Sequence, residues 1–340
     1  MTTSPVSVVI PTYQGAAFLR QALGSVVAQT RLPREIIVVD DASTDGTPDL
    51  VTAFARTAPL PARLVRLDRN SGGPARPINV GVAASSGEFI AVLDQDDAFE
   101  PTKLEDQARV LASDPGLSLV FSWCGHAGAA EDRTWQAEPV KLANLAAGRD
   151  CGDYYRIPGR DVLRFLMRFS GYIVGYPAFL FRRRDWQRKG GVDERLLIAS
   201  DFELTGWLAG HGDCGLVPKV GYRRRVHASN ATHRIVEMHR EVARVKNALL
   251  LRHPSLLRDH EVRANVRGGY HGLAYRYREQ GRYREALAFL LSSLRVWGPS
   301  AETLSALGKL PLHWCWTRLL AAPRAGDAPE GGLVGTAADR

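Results

Sequence analysis

Phe89-Ile90-Ala91-Val92-Leu93 is a wholly apolar run that passes directly into Asp94-Gln95-Asp96-Asp97. A short run of this kind, without helical spacing, reads as a buried strand whose carboxyl end is acidic. Two similar runs precede it. Val6-Ser7-Val8-Val9-Ile10 closes on Pro11, and Glu35-Ile36-Ile37-Val38-Val39 closes on Asp40-Asp41. A further strand is read at Arg63 to Leu67. Between these, Ala16 to Thr30 sets Leu19, Leu23, Val26 and Val27 on one helical face, and Thr47 to Ala55 and Pro77 to Ala84 read as helices. Strands alternating with helices predict an α/β fold with a mainly parallel sheet flanked by helices. Ligands of such sheets gather at the carboxyl ends of the strands, and both acidic clusters fall there.

Beyond Ser118 the pattern is mixed. Leu119-Val120-Phe121 and Ala178-Phe179-Leu180-Phe181 are strand candidates, Asp201 to Leu208 is helical, and Thr232 to Leu251 is a long helix. Gly268 to Leu294 holds two more helices, split at Gln280-Gly281. Gly281 to Leu287 resembles half of a tetratricopeptide-type hairpin, but a single copy does not make a repeat array. From Ala322 the chain is rich in Ala, Gly and Pro without periodicity, which predicts disorder. The expected organisation is therefore a nucleotide-binding domain over 1–235, a helical region over 236–321 and a tail over 322–340.

Of the 340 residues, 45% are hydrophobic and 24% charged, as in a soluble globular protein. A net charge of +8 admits anionic partners, although charge by itself favours a solvated Arg-rich surface. Cys124, Cys151, Cys214 and Cys315 lack metal or disulfide spacing, so a reduced, cytoplasmic chain is expected. The N-terminus has no basic segment of a signal peptide, and no apolar run is long enough to span a membrane.

The chemistry-bearing residues each carry a plain alternative. Crowded carboxylates at Asp94, Asp96 and Asp97 repel one another unless a cation compensates, and Mg²⁺ or Mn²⁺ bridging carboxylates to a diphosphate would do so. An acidic helix start is the other reading. Asp40 or Asp41 could accept from a nucleobase or ribose, or simply cap a turn. Tyr13 could stack on a base or cover surface. Arg76 ends the glycine loop Asn70-Ser71-Gly72-Gly73-Pro74-Ala75 and could meet a phosphate, or the loop is an ordinary connection. Asp201 and Glu203 open a helix as a general base or as capping residues. His227, after Arg223-Arg224-Arg225-Val226, could complete a metal site or end a basic strand.

In order and spacing, three motifs resemble the family 2 glycosyltransferases of GT-A fold. They are Val6-Ser7-Val8-Val9-Ile10-Pro11-Thr12-Tyr13, Val38-Val39-Asp40-Asp41-Ala42-Ser43-Thr44-Asp45-Gly46-Thr47 and Gly87-Glu88-Phe89 through Asp94-Gln95-Asp96-Asp97. The resemblance covers about residues 5 to 235. It implies a nucleoside pocket at Pro11, Tyr13 and Asp41 supported by Asp40, with Arg76 facing the diphosphate. It also implies a DXD element at Asp94 and Asp96, a late metal- or diphosphate-contacting histidine at His227, and an inverting general base at Asp201. The donor would be a nucleoside-diphosphate sugar, UDP favoured, and the acceptor a glycan or lipid-linked hydroxyl in polysaccharide or glycoconjugate synthesis. Ser200-Asp201 departs from the family's frequent Glu-Asp, which leaves Glu203 as a second base candidate.

A nucleotidyltransferase would place a Gly-rich basic run after the first strand, where Pro11-Thr12-Tyr13-Gln14-Gly15 stands instead. A non-catalytic sugar-nucleotide-binding scaffold is the other rival, and the retained acidic set weighs against it. A nucleic-acid partner is not expected, because the basic residues form no aromatic-interleaved platform. The basic surplus and Leu310-Pro311-Leu312-His313-Trp314-Cys315-Trp316 raise the expectation of peripheral contact with the inner face of a membrane, with core packing of the tryptophans as the competing reading.

Overall fold

The backbone follows the burial pattern of its apolar runs. Val6–Thr12 (β1), Glu35–Asp40 (β2) and Phe89–Val92 (β4) are buried along their whole length, as strands covered on both faces must be. The computed structural model describes residues 4–127, 148–168, 175–227 and 234–310. Ala62–Arg66 is β3, Ala98–Phe99 is β5, Leu117–Ala127 is β6, Arg149–Asp150 is β7, Tyr155–Ile157 is β8, Phe179–Arg182 is β9 and Asp213–Arg225 is β10. They form one sheet in the order β3-β2-β1-β4-β9-β6-β10-β8-β7, with β5 paired to β10. β1, β2, β3 and β4 are parallel; β9 is inserted antiparallel, and β6 and β10 resume the first direction.

Register brings the loops of interest side by side. Thr12 pairs with Asp40, so β1 and β2 end together, and Val9 pairs with Val92 just before the acidic run. The helices are Leu19–Val27 (α1), Thr47–Thr57 (α2), Ala75–Ala84 (α3), Lys103–Ser113 (α4), Gly159–Arg168 (α5), Arg183–Lys189 (α6) and Ser200–Ala209 (α7). α4 is tied to the start of β9 by two buried polar side chains. Lys103 Nζ donates to Phe179 O at 3.0 Å, and Gln107 Nε2 donates to Ala178 O at 2.7 Å. These bonds fix the turn Tyr176–Ala178 that leads into β9.

The mixed region resolves into longer elements than its sequence pattern predicts. β6 and β10 pair in parallel along most of their length, with register shifts between Val217 and Tyr222. Pro218 lies within those shifts, where a residue without an N–H forces a bulge. Described residues to 166 and from 175 to 227 form one compact unit; 167–168 and 234–310 form a second. The second comprises Ile235–Arg252 (α8), His260–Glu279 (α9), Tyr283–Trp297 (α10) and Ala301–Gly308 (α11). Asp259 caps α9 by accepting from the Glu261 and Val262 amides, and Tyr277 stacks on Phe289 at 5.6 Å in its core. The predicted tail from 322, Cys315 and all but Leu310 of the tryptophan-rich segment lie outside the described residues. None of the described helices is long and apolar enough to cross a membrane.

Two helical glycines should respond oppositely to Ala. A Cβ at Gly24 in α1 meets nothing within 4 Å, so Gly24→Ala should stabilise by about 1 kcal/mol through helix propensity. A Cβ at Gly81 in α3 falls 2.4 Å from Val9 Cγ1 and 3.1 Å from Val39 Cγ2, and overpacking there should cost a net ~1–3 kcal/mol. Urea denaturation of both variants checks the sign of each.

Candidate active site

The loop after β1 is clamped from two sides. Gln95 Oε1 accepts from Thr12 Oγ1 at 2.6 Å and from the Tyr13 amide at 2.9 Å, and Gln95 Nε2 donates to Tyr13 O at 3.1 Å. Gln14, in the left-handed region at φ 50°, uses its side-chain carbonyl to accept from the Thr44 and Asp45 amides. The β1 loop is thereby fastened to the loops after β4 and β2. Pro11 is buried beneath it, while Tyr13 is 46% exposed and free to present its ring.

The two acids after β2 divide their labour. Asp40 is fully buried; it accepts from the Ser43 amide at 3.2 Å and pairs with Arg66 Nε at 3.1 Å. Its carboxylate holds the turn and has no open side for a ligand. Asp41 accepts from the Ser71 amide at 2.9 Å and from Ser71 Oγ at 2.8 Å, which docks the glycine loop onto the end of β2. That loop reaches on to the opposite wall. A Cβ on Gly73 would lie 2.7 Å from the backbone of Leu197, in the segment that leads into α7. Arg76, in the first turn of α3, has no hydrogen bond or ion pair among the described residues.

The acidic run after β4 meets the end of β10. The Arg225 amide donates to Asp97 Oδ1 at 2.9 Å, and His227 Nε2 lies 2.8 Å from Asp96 Oδ2. The His227 ring stacks on Phe18 at 4.7 Å, and the Arg225 guanidinium lies over the Phe18 ring. Burial, then the charge of Asp96, pushes the Asp94 carboxyl up to about 7. Burial, then Asp94 and Asp96, holds Asp97 well above the carboxylate range. The carboxyls of Asp94 and Asp97 are thus held toward their neutral forms by burial and by their acidic neighbours.

Across the cleft, Asp201 lies buried in the first turn of α7, its Oδ1 accepting from the Phe202 amide at 2.7 Å. Glu203 is committed elsewhere: it pairs with Lys189 Nζ at 2.8 Å and accepts from the Asp193 amide at 2.9 Å. Tyr176 is buried, with its hydroxyl beside the buried hydroxyl of Ser200 at the start of α7. Burial and then the charge of Asp201 hold that hydroxyl well above its usual pKa, and Asp94 also acts on it. One phenol thus senses acids from both walls.

The profile described as Glycosyl transferase family 2 matches residues 7–189, more than half of the chain. The chain belongs to this family. The succinoglycan biosynthesis protein ExoO of Rhizobium meliloti (strain 1021) is 32% identical over 235 residues, covering 64% of this chain and 59% of that protein. The chain thus spans about three-fifths of that relative's length. Among solved structures, S. aureus TarS 1-349 in complex with UDP-GlcNAc superposes with a TM-score of 0.59 at 19% identity, over 85% of this chain and 81% of that one. The mannosyltransferase PcManGT from Pyrobaculum calidifontis, in complex with GDP-Man and Mn²⁺, gives a TM-score of 0.55 at 20% identity, over 91% of this chain and 79% of that one. These likenesses establish the GT-A fold.

Within this family 2 chain, several residues of the cleft escape a reading of motifs. Gln95, between the two acids, is the clamp of the β1 loop, and a polar residue at the centre of an acidic strand end was the signal available. Ser71 is the partner of Asp41, and Tyr176 lies in a stretch without a motif. No cluster of three or more His, Cys, Asp or Glu side chains is arranged to hold a metal among the described residues. Asp96 and His227 nevertheless fit a hard divalent ion that takes its remaining positions from water and phosphate, beside carboxylates that repel one another.

The Asp94 carboxyl makes stability depend on pH. Its proton is held to about 7 in the native state against an ordinary value of 3.8, so the folded chain binds it more tightly than the unfolded one. Stability of metal-free protein should therefore fall as pH rises from about 4 through about 7. Asp94→Asn should remove much of that fall, seen as a higher Tm than wild type near pH 8 and little difference near pH 4.

Proposed function

We propose that the chain transfers a sugar from a nucleoside-diphosphate sugar to a hydroxyl group of a glycan or lipid-linked acceptor, with inversion at the anomeric carbon. The observation that carries this is the continuous set of contacts from Asp41 through Ser71 and Gly73 to Leu197 and the helix of Asp201. It joins a nucleoside-side acid to a base candidate. UDP-GlcNAc and GDP-Man, bound in the neighbouring structures, support a nucleotide-sugar donor, and we favour UDP. ExoO's role in succinoglycan biosynthesis supports a polysaccharide or glycoconjugate product. Three free thiols, Cys124, Cys151 and Cys214, support a reducing, cytoplasmic setting.

In this reading Tyr13 stacks on the base, Pro11 shapes the floor, and Asp41 accepts from base or ribose while Asp40 keeps its turn rigid. Asp94 faces ribose or phosphate. Asp96 and His227 would hold Mg²⁺ or Mn²⁺, which supplies positive charge to the diphosphate when bound. Arg76, without an ion pair among the described residues, adds a second cation at the phosphates. Asp201 is the base, because Glu203 is bound to Lys189 and the Asp193 amide. Its carboxylate takes the acceptor's proton as the new C–O bond forms and the anomeric C–O bond to phosphate breaks. The bonding pair leaves with the nucleoside diphosphate.

Incubation with UDP-, GDP- and TDP-sugars, Mn²⁺ and a hydroxyl acceptor should release the nucleoside diphosphate. Pyrophosphate release from a nucleoside triphosphate would overturn the assignment. Asp201→Asn should lower kcat by about 10²- to 10⁴-fold with little change in donor KM. UDP should raise Tm only with Mn²⁺ present, and Asp96→Ala should abolish that dependence.

A further inference from the structure

The helical unit, residues 234–310, holds 14 Lys and Arg against 7 Asp and Glu, so seven of the chain's eight net positive charges lie within it. Exposed large apolar side chains gather there too. Ile235, Leu251, Tyr275, Leu291, Val296 and Leu304 belong to this unit, against Tyr13 and Val226 elsewhere among the described residues. Basic charge and apolar exposure together mark a surface that meets an anionic, partly apolar partner.

The coincidence is clearest on α10. Its inner face, Ala286, Phe289, Leu290 and Ser293, is buried in the unit's own core. The outward face runs Arg284, Ala288, Leu291, Arg295, all exposed, with half-buried Leu287 and Leu294 beside it. A helix on the surface of a soluble bundle turns a polar face to water. Here the outward stripe is aliphatic and bracketed by guanidinium groups. Neither Arg284 nor Arg295 has an ion pair among the described residues. Leu304 of α11, which packs against α9 and α10, adds another exposed aliphatic group.

We propose that this face lies flat on an anionic phospholipid bilayer, with Leu287, Leu291 and Leu294 at the acyl boundary and Arg284 and Arg295 on the headgroup phosphates. Charge selects this occupant. A second copy would set arginine against arginine in either orientation of a two-fold pair. A nucleic acid would call for exposed aromatic platforms, whereas this stripe is leucine and alanine. The contact is peripheral, reversible and weakened by salt. It goes beyond the transferase reading and does not depend on it.

The full chain should sediment with vesicles of phosphatidylglycerol and phosphatidylcholine, not with phosphatidylcholine alone, and high salt should release it. Arg284→Gln with Arg295→Gln should lower partitioning by about 25-fold, at roughly fivefold per positive charge removed. Leu291→Asp should lower it as well, with melting temperature and the UDP–Mn²⁺ thermal shift unchanged. Equal binding to neutral vesicles, no binding to anionic ones, or full binding by Leu291→Asp would overturn the proposal. So would light scattering that shows a dimer split by Leu291→Asp, which would make the face an interface between copies. Vesicle binding retained without any UDP–Mn²⁺ shift would support this proposal and count against the transferase reading.

Discussion

Three carboxylates within four residues at the end of β4, one buried and two half-buried, repel one another, and the surroundings of the cleft answer that cost. The protein offers Asp97 the Arg225 amide and Asp96 the His227 imidazole, both from the far end of β10. Those contacts hold the end of β10 against α1, where Phe18 stacks on His227. Even so, Asp94 and Asp97 remain well above the usual carboxylate range, chiefly through burial. A fold serving stability alone would replace one of these acids with an amide. Their retention makes sense if the compensating charge arrives with the ligand.

The parallel half of the sheet was legible because its strands are apolar on both faces. β1, β2 and β4 have little alternative once Val and Ile fill successive positions, and strand-end acids then fall on one edge by geometry. The second half was harder for physical reasons. β10 contains Gly215, Pro218 and Gly221, which weaken strand propensity, and its pairing shifts register around Pro218. β9 enters antiparallel, a direction that no local pattern encodes. Its anchor is the buried pair Lys103 and Gln107 in α4, polar residues that a binary pattern assigns to the surface.

Within the candidate site, the positions of the acidic clusters at strand ends could be read, but their partners could not. Asp40 and Asp41 are adjacent and chemically identical. Arg66 and Ser71, each more than twenty residues away, make one a sealed structural group and the other the dock for a loop. The proposed preference for Asp201 over Glu203 rests likewise on a distant residue, because Lys189 pairs with Glu203. Long-range pairing decides roles that residue type leaves open.

The glycine loop shows how such pairing couples the two walls of the cleft. Ser71 bonds to Asp41, and two residues later Gly73 comes so close to the Leu197 backbone that a Cβ would sit at 2.7 Å. Leu197 lies four residues before Asp201, and Gly175, before the buried Tyr176, would set a Cβ 3.7 Å from Asp201 Oδ2. The side that would bind a nucleoside is thus mechanically continuous with the side that would remove a proton. Any side chain at Gly73 would push those walls apart or displace Ser71 from Asp41. The loop carries the family's frequent Asn-x-Gly as Asn70-Ser71-Gly72, and the physical demand for a bare backbone at this crossing is met one residue later by Gly73.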